Sequence, residues 1–247
     1  MPRKPKQIST PIPKGEIVNF YDIMPSKHKK VYPNPNKDLH GINTPFRMCV
    51  VAPSGSGKTN FLLNLISLFC KDGGTFVDIT IITRNKDEPL YNFLQEQSDQ
   101  IKIVEGLSNT PELDKMDKDE QHLVVWDDLV LAKDLTKVEN YYLRARKFGC
   151  SVIFLSQLFY KIPQFIRQNS SYMVILKLGG KRNVSLLMSE FSYGLSKEQI
   201  LGMYDYATSE KLSPFIIDIE NPDLKTKFRK GFKEYLDPDL YDKKKEQ

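Results

Sequence analysis

The sequence predicts an α/β fold with a central, mostly parallel sheet flanked by helices. Three observations point there. After Pro45 short apolar runs alternate with amphipathic stretches, as strands joined by crossover helices do. Several runs are apolar at consecutive positions, which suits strands buried on both faces. And 247 residues provide one such domain with a sizeable core, but not two large ones.

The strands expected in chain order are Met48–Ala52, Ile79–Thr83, Ile101–Val104, His122–Trp126, Ser151–Ser156, Tyr172–Leu176 and Phe215–Ile219, each rich in Val, Ile or Phe. Between them, helices are expected at Lys58–Cys70, Glu88–Gln97, Lys133–Lys147 and Lys197–Tyr206. Gly73 and Gly149 are placed to end two of these, and Ser196 with Gln199 forms a capping-box pattern at the start of the last. Residues 1–45, rich in Pro and Lys and lacking hydrophobic periodicity, read as an extended arm. The main α/β domain is expected over 46–220 and a charged, aromatic tail over 221–247, frayed from Asp237 onward.

Composition narrows the function classes. With 40% apolar and 27% charged residues the chain has the profile of a globular protein. No apolar run approaches the roughly 18 residues of a membrane span, the best, Phe61–Cys70, being interrupted by Asn64. Met1–Gln7 is basic but is followed by no apolar segment, so no secretory leader is expected and a reducing compartment follows. Cys49, Cys70 and Cys150 form no C-x-x-C pair, and His28, His40 and His122 lack ligand spacing, which argues against a disulfide framework or a zinc site. The net charge of +5 is concentrated near the ends, in Arg3–Lys6, Lys27–Lys30 and Lys243–Lys245, and permits a polyanionic partner.

The most specific signal follows the first strand. Ala52-Pro53-Ser54-Gly55-Ser56-Gly57-Lys58-Thr59, continuing through Asn60 into an apolar helix, is a Walker A element in its required strand–loop–helix context. Gly55 and Gly57 let backbone N–H groups converge on phosphate oxygens, and the helix start adds donors and the positive end of its dipole. Lys58 is expected to reach the β and γ phosphates of ATP, and the Thr59 hydroxyl to coordinate Mg2+. The first position of the pattern is Ala52 instead of Gly, at a point that closes the strand.

A second strand, His122–Trp126, ends in Asp127 and Asp128, carboxylates that are costly there unless they meet a cation or water. Asp127 is expected to hold Mg2+ and Asp128 to polarise the attacking water. A third apolar strand ends in Ser156-Gln157, which puts an amide where open α/β sheets bind ligands and makes Gln157 a candidate sensor for the γ-phosphate or the water, the alternative being an amide exposed in the loop before Leu158-Phe159-Tyr160. Arg144 and Arg146 precede that strand and Arg167 follows it; a guanidinium suits phosphoryl charge in the transition state, while for all three the alternative is an ordinary solvated or dipole-complementing role. Lys181 and Arg182, after Gly179-Gly180, are either pore-loop contacts or part of a solvated hairpin turn.

Taken together, 52–59, 124–128, the block 144–157 and 163–169 resemble the poxvirus-type genome-packaging ATPases, the viral branch of the FtsK/HerA superfamily, over roughly residues 45–220. The resemblance implies a RecA-like P-loop NTPase core of the additional-strand class, with the sensor strand between the two Walker strands. It also implies a homo-oligomeric ring, translocation of double-stranded DNA into a capsid, capsid or portal-vertex partners, and a place in the host cytoplasm, at the virus factory, or in the virion. A virophage or large DNA virus is the source it suggests. By position Lys58 and Thr59 match the Walker A pair, Asp127 the metal carboxylate, Gln157 the sensor, and Arg144 or Arg146 an arginine donated in trans. Asp128 departs from the usual Glu, and its shorter side chain must approach the water more closely. The competing readings are a helicase or assembly remodeller with the same chemistry, a nucleotide-binding structural capsid protein without turnover, and a small-molecule kinase, for which no acceptor-site motif is present.

Overall fold

The computed structural model describes residues 17–242. The basic runs Arg3–Lys6 and Lys243–Lys245, and the first part of the expected arm, lie outside the described residues. The chain divides into two compact units after Val31. The described part before that point holds a helical turn, Phe20–Ile23, capped by Asn19, whose Oδ1 accepts from Tyr21 N at 3.2 Å, and a second turn at Ser26–His28.

From Tyr32 onward the chain forms one unit built on a sheet. Its strands are β1 (Arg47–Val51), β2 (Asp78–Thr83), β3 (Ile101–Glu105), β4 (His122–Asp127), β5 (Cys150–Ser156), β6 (Tyr172–Ile175), β7 (Phe215–Asp218), β8 (Phe228–Lys230) and β9 (Glu234–Tyr235). Their order is β3-β2-β4-β5-β1-β6-β7-β8-β9, parallel from β3 through β6 and antiparallel from β7 on. Every expected strand is present. β5 lies between β1 and β4, so the strand ending in Gln157 separates the strand that feeds the glycine loop from the one that ends in the two aspartates.

The consecutive apolar runs have the expected cause. Along β1, Met48, Val50 and Ala52 face one core layer while Cys49 and Val51 face the other; β4 divides Leu123 and Val125 from Val124 and Trp126 in the same way. Helices cover both faces, so neither set meets water. Helix α1 (Lys58–Cys70) buries Phe61, Leu62, Leu65, Ile66 and Phe69, spaced to form one helical stripe. At roughly 1.5–3 kcal/mol per buried apolar side chain, packing holds this helix in place. It needs little help at its start: Gly57 occupies the N-cap and supplies no side-chain hydrogen bond, which leaves the first backbone donors of α1 available to a ligand. Helix α2 (Pro89–Gln97) adds Tyr91 and Leu94 to the same layer. Helices α3 (Thr136–Arg144), α4 (Gln164–Gln168), α5 (Lys181–Glu190) and α6 (Lys197–Ala207) pack on the opposite face.

Several boundaries differ from expectation. The segment 32–45 is not an extended arm: Ile42, Asn36 and His40 are buried, Asn36 Nδ2 donates to Lys71 O at 2.6 Å, Tyr32 OH donates to Lys118 O at 2.8 Å, and the His40 ring lies 4.3 Å from that of Phe69. Polar side chains do this docking, which is why hydrophobic periodicity missed it. Beyond residue 220 the chain is also part of the domain. β8 and β9 extend the sheet, Phe228 stacks on Phe215 at 5.8 Å, and Pro238–Tyr241, expected to fray, forms a turn whose Pro238 carbonyl accepts from Gln199 Nε2 at 3.2 Å. Helix α3 starts at Thr136 and not at Lys133, because Asp134 Oδ1 accepts from Thr136 N at 2.8 Å. Beyond Arg144 the chain tightens into a 3-10 turn, Ala145–Phe148, stopped by left-handed Gly149. The capping box of Ser196 and Gln199 is formed. Lys181 and Arg182 open a helix instead of lining a hairpin turn.

Candidate nucleotide site

Parallel register brings the carboxyl ends of β1, β2, β4 and β5 to one edge of the sheet, where open α/β folds bind ligands. Ala52 continues the β1 ladder, its N–H donating to Ser156 O at 3.0 Å, and is fully buried. A methyl is accommodated there, which accounts for Ala in place of the pattern's first Gly. The loop then turns through Gly55 (φ +73°) and Gly57 (φ +97°). The requirement at Gly57 is twofold: φ lies where side chains are strained, and a Cβ would overlap the Leu212 side chain. Ser56 stabilises the turn from within, its Oγ donating to Pro53 O at 2.6 Å.

A cavity of about 310 Å3 opens over this loop, lined by Pro53, Ser54, Gly55, Gly57, Lys58, Thr59 and Asn60 from the glycine loop and the start of α1 and by Asp127, Asp128 and Gln157 at the carboxyl ends of β4 and β5. Of the expected phosphate-loop residues, Ala52 and Ser56 hold the loop without lining the cavity. A neighbouring cavity of about 390 Å3, walled by Thr83, Arg84, Asn85, Val130, Leu131 and Leu158, shares Glu88, Asp127, Asp128 and Gln157 with the first.

At the floor, the Lys58 ammonium pairs with Asp127 and lies 3.0 Å from Asp128 Oδ1. Both oxygens of each aspartate are engaged. Asp127 takes Lys58 on Oδ1 and the Tyr91 hydroxyl on Oδ2 at 2.6 Å; Asp128 takes Lys58 on Oδ1 and Gln157 Nε2 on Oδ2 at 2.9 Å. Asp128 sits at φ +54°, a conformation Asp tolerates better than most residues and one that accumulates at functional sites. Tyr91 is fully buried; burial first, and the Asp127 charge second, push its phenol well above the usual range, so it is the donor in this bond. One ammonium between two carboxylates leaves a net negative charge at the cavity floor, and Lys58 leaves both carboxylates uncompensated if it turns toward a phosphate.

The sequence therefore identified the residues that the fold brings together, Lys58, Thr59, Asp127, Asp128 and Gln157. It missed Tyr91, Glu88 and Leu212, whose only signal is their place at the ends of elements that become neighbours in space. The arginines behave differently. Arg144 and Arg146 precede β5 and so lie at its far end, on the order of 20 Å away at about 3.3 Å per residue. Arg144 Nη2 pairs with Asp114 at 2.6 Å, and Arg146 Nη1 with Glu220 at 3.2 Å. Arg167 is clamped by Glu190 at 2.9 Å and rests 5.0 Å from the Phe159 ring. None of the three meets the phosphate loop of its own chain.

A model of the family described as "Poxvirus A32 protein" matches residues 37–222, three quarters of the chain. The chain belongs to the poxvirus A32 protein family. No curated protein matches at sequence level. Solved structures do match: the genome-packaging NTPase B204 of Sulfolobus turreted icosahedral virus 2, in complex with AMPPCP, superposes with a TM-score of 0.55 at 12% identity over 78% of this chain and 100% of that one. The cytoplasmic domain of the type VII secretion ATPase EccC of Thermomonospora curvata gives 0.51 at 12% identity, over 78% of this chain and 25% of that one. EssC from Geobacillus thermodenitrificans, ATPases 2 and 3, gives 0.53 at 11% identity over 81% and 40%. At such identities the likeness establishes a shared fold, and with the A32 family match it gives this member a P-loop NTPase core, here with β5 standing between β1 and β4.

Proposed function

We propose that this A32-family protein hydrolyses ATP and uses the energy to translocate double-stranded DNA into a viral capsid. The observation that carries the reading is the floor of the cavity: Lys58 held between Asp127 and Asp128 at the mouth of a left-handed glycine loop, with Gln157 on Asp128. Phosphates would be received by the loop N–H groups and the uncapped start of α1, and Lys58 would leave the carboxylates for the β and γ oxygens. Asp128 and Gln157, already bonded to each other, would orient the attacking water beside the γ-phosphate. The B204 structures solved with AMPPCP and ATP-gammaS support a nucleoside triphosphate as the ligand of this fold.

The residues present fit magnesium. Thr59 and Asp127 line the same cavity and are hard oxygen donors. Among the described residues no cluster of three His, Cys, Asp or Glu could form a metal cage, which suits an ion that keeps waters and substrate phosphates as its remaining ligands. When bound, magnesium supplies neutralisation of the phosphate charge.

Packaging is the family-level component of the proposal. DNA, a ring of identical chains, and capsid or portal-vertex partners in the host cytoplasm belong to it. An arginine acting in trans, Arg144 or Arg146, would require a neighbouring copy to bring its amino-terminal sheet edge to this cavity and to exchange the Asp114 or Glu220 pairing for phosphate. Among the described residues no helix is long and apolar enough to cross a membrane. The test is ATP turnover with and without duplex DNA across a salt series. Stimulation that fades steeply with salt, as phosphate contacts predict, supports the motor; turnover indifferent to duplex DNA at every salt concentration overturns it.

A further inference from the structure

The two cavities share three carboxylates, and these are unequally occupied. Asp127 and Asp128 have both oxygens in hydrogen bonds or ion pairs, whereas the side chain of Glu88 takes part in none among the described residues. Glu88 is thus the acid at the cavity whose lone pairs remain open to water.

Its position is set locally. Pro89 opens α2 and excludes the helical conformation from the residue before it, so Glu88 is extended, at φ −64° and ψ +128°. The Glu88 carbonyl accepts from Tyr91 N at 2.9 Å and Asn92 N at 3.1 Å, which anchors the backbone while leaving the carboxylate unused. Because β2 pairs directly with β4, the turn that leaves β2 arrives beside the two aspartates. The start of α2 and its N-cap therefore deliver two groups, Tyr91 to Asp127 and Glu88 to the two cavities that Asp128 also lines. A carboxylate one methylene longer than Asp128, approaching from the adjacent strand, offers the reach that the Asp in the Walker strand gives up.

We propose that Glu88 is a catalytic residue, the base that takes the proton of the attacking water, with Asp128 and Gln157 orienting that water. The proposal rests on the hydrolase reading above. In the step, the water oxygen bonds to the γ-phosphorus as the bond from that phosphorus to the β–γ bridging oxygen breaks. The bridging electron pair leaves with ADP, one water proton passes to Glu88, and Glu88 returns it to solvent after phosphate departs.

The test compares wild type, Glu88→Gln and Glu88→Asp in the full-length protein by steady-state ATP turnover, ATP affinity by calorimetry, and chromatography of the nucleotide recovered from the protein. Loss of the base is expected to cut Glu88→Gln turnover about 10²–10⁴-fold, with affinity held within about threefold and bound nucleotide recovered as triphosphate. Glu88→Asp should fall between the two. Glu88→Gln turning over at nearly the wild-type rate overturns the proposal, as does a loss of turnover matched by a loss of ATP affinity, which would make Glu88 a binding residue. Wild type that binds ATP without ever hydrolysing it, with or without duplex DNA, overturns the hydrolase reading, a result read on a different protein from the Glu88 variants.

Discussion

Replacing Tyr91 with Phe removes one oxygen and nothing else from the core. The hydroxyl donates at 2.6 Å to Asp127 Oδ2, and both side chains are almost wholly out of solvent. Phe fills the same volume, so no cavity term enters, and the loss is that of a charge-assisted hydrogen bond to a carboxylate that water cannot readily re-solvate. Such a bond contributes about 1.5–3 kcal/mol. For a chain of this size each kcal/mol moves Tm by roughly 2–4 °C, which places the expected fall between about 3 and 12 °C. Thermal unfolding by circular dichroism reads it directly. Since the Tyr91 phenol is held far above its usual range, the deficit should persist unchanged into mildly alkaline buffer. A Tyr91→Phe protein that melts with wild type would show that the bond is not formed in solution and would remove the argument that α2 positions Asp127.

Three further outcomes are expected. Lys58→Met in the ligand-free protein leaves Asp127 and Asp128 facing each other; because Asp128 is 33% exposed, the cost should be about 2–3 kcal/mol, below the range for a fully buried pair, and denaturant titration measures it. Gly57→Ala must adopt φ +97° and displace Leu212, so ATP affinity should drop by at least about tenfold, and Leu212→Ala should relieve the overlap without restoring affinity, since the backbone strain of roughly 1–2 kcal/mol remains. His40 accepts from Ile42 N through Nδ1 and is held neutral; burial first, then the charge of Arg229, lowers its pKa from 6.5 to about 4. Its folded pKa is the depressed one, so the unfolded chain binds the extra proton. Stability from this site should therefore be complete above pH 6.5 and lost as pH falls toward 4, by on the order of 2 kcal/mol, and a His40→Gln variant should lack that component of the pH dependence.

The parts of the site legible in the sequence are those built by contiguous residues. A strand, a glycine loop, Lys58, Thr59 and an apolar helix are consecutive, as are the strand ends carrying Asp127, Asp128 and Gln157. Each announces its geometry locally. Tyr91 and Glu88 became visible only with the sheet order, because β2 and β4 are separated in sequence by β3 and meet only through pairing. Tyr91 in particular sits in an apolar stripe and reads as core until its hydroxyl is seen on Asp127. The outer strands escaped for another reason. β8 and β9 are three and two residues long and carry Arg229, Lys230 and Glu234, so they show no apolar run; yet Arg229 is 1% exposed, its Nη1 donating to the carbonyls of His40 and Phe232 at 3.2 Å each. Helix α5 was hidden behind Gly179-Gly180, which reads as a turn until Gly180, at φ +88°, hands over to Lys181.

The central claim is that Lys58 and Asp127, 69 positions apart, serve one bound triphosphate. Calorimetric titration of MgATP into wild type, Lys58→Ala and Asp127→Asn tests it most directly. Saturable binding by wild type, lost in Lys58→Ala and made insensitive to magnesium in Asp127→Asn, is the predicted result. Equal uptake by all three proteins, or none by wild type, would contradict it.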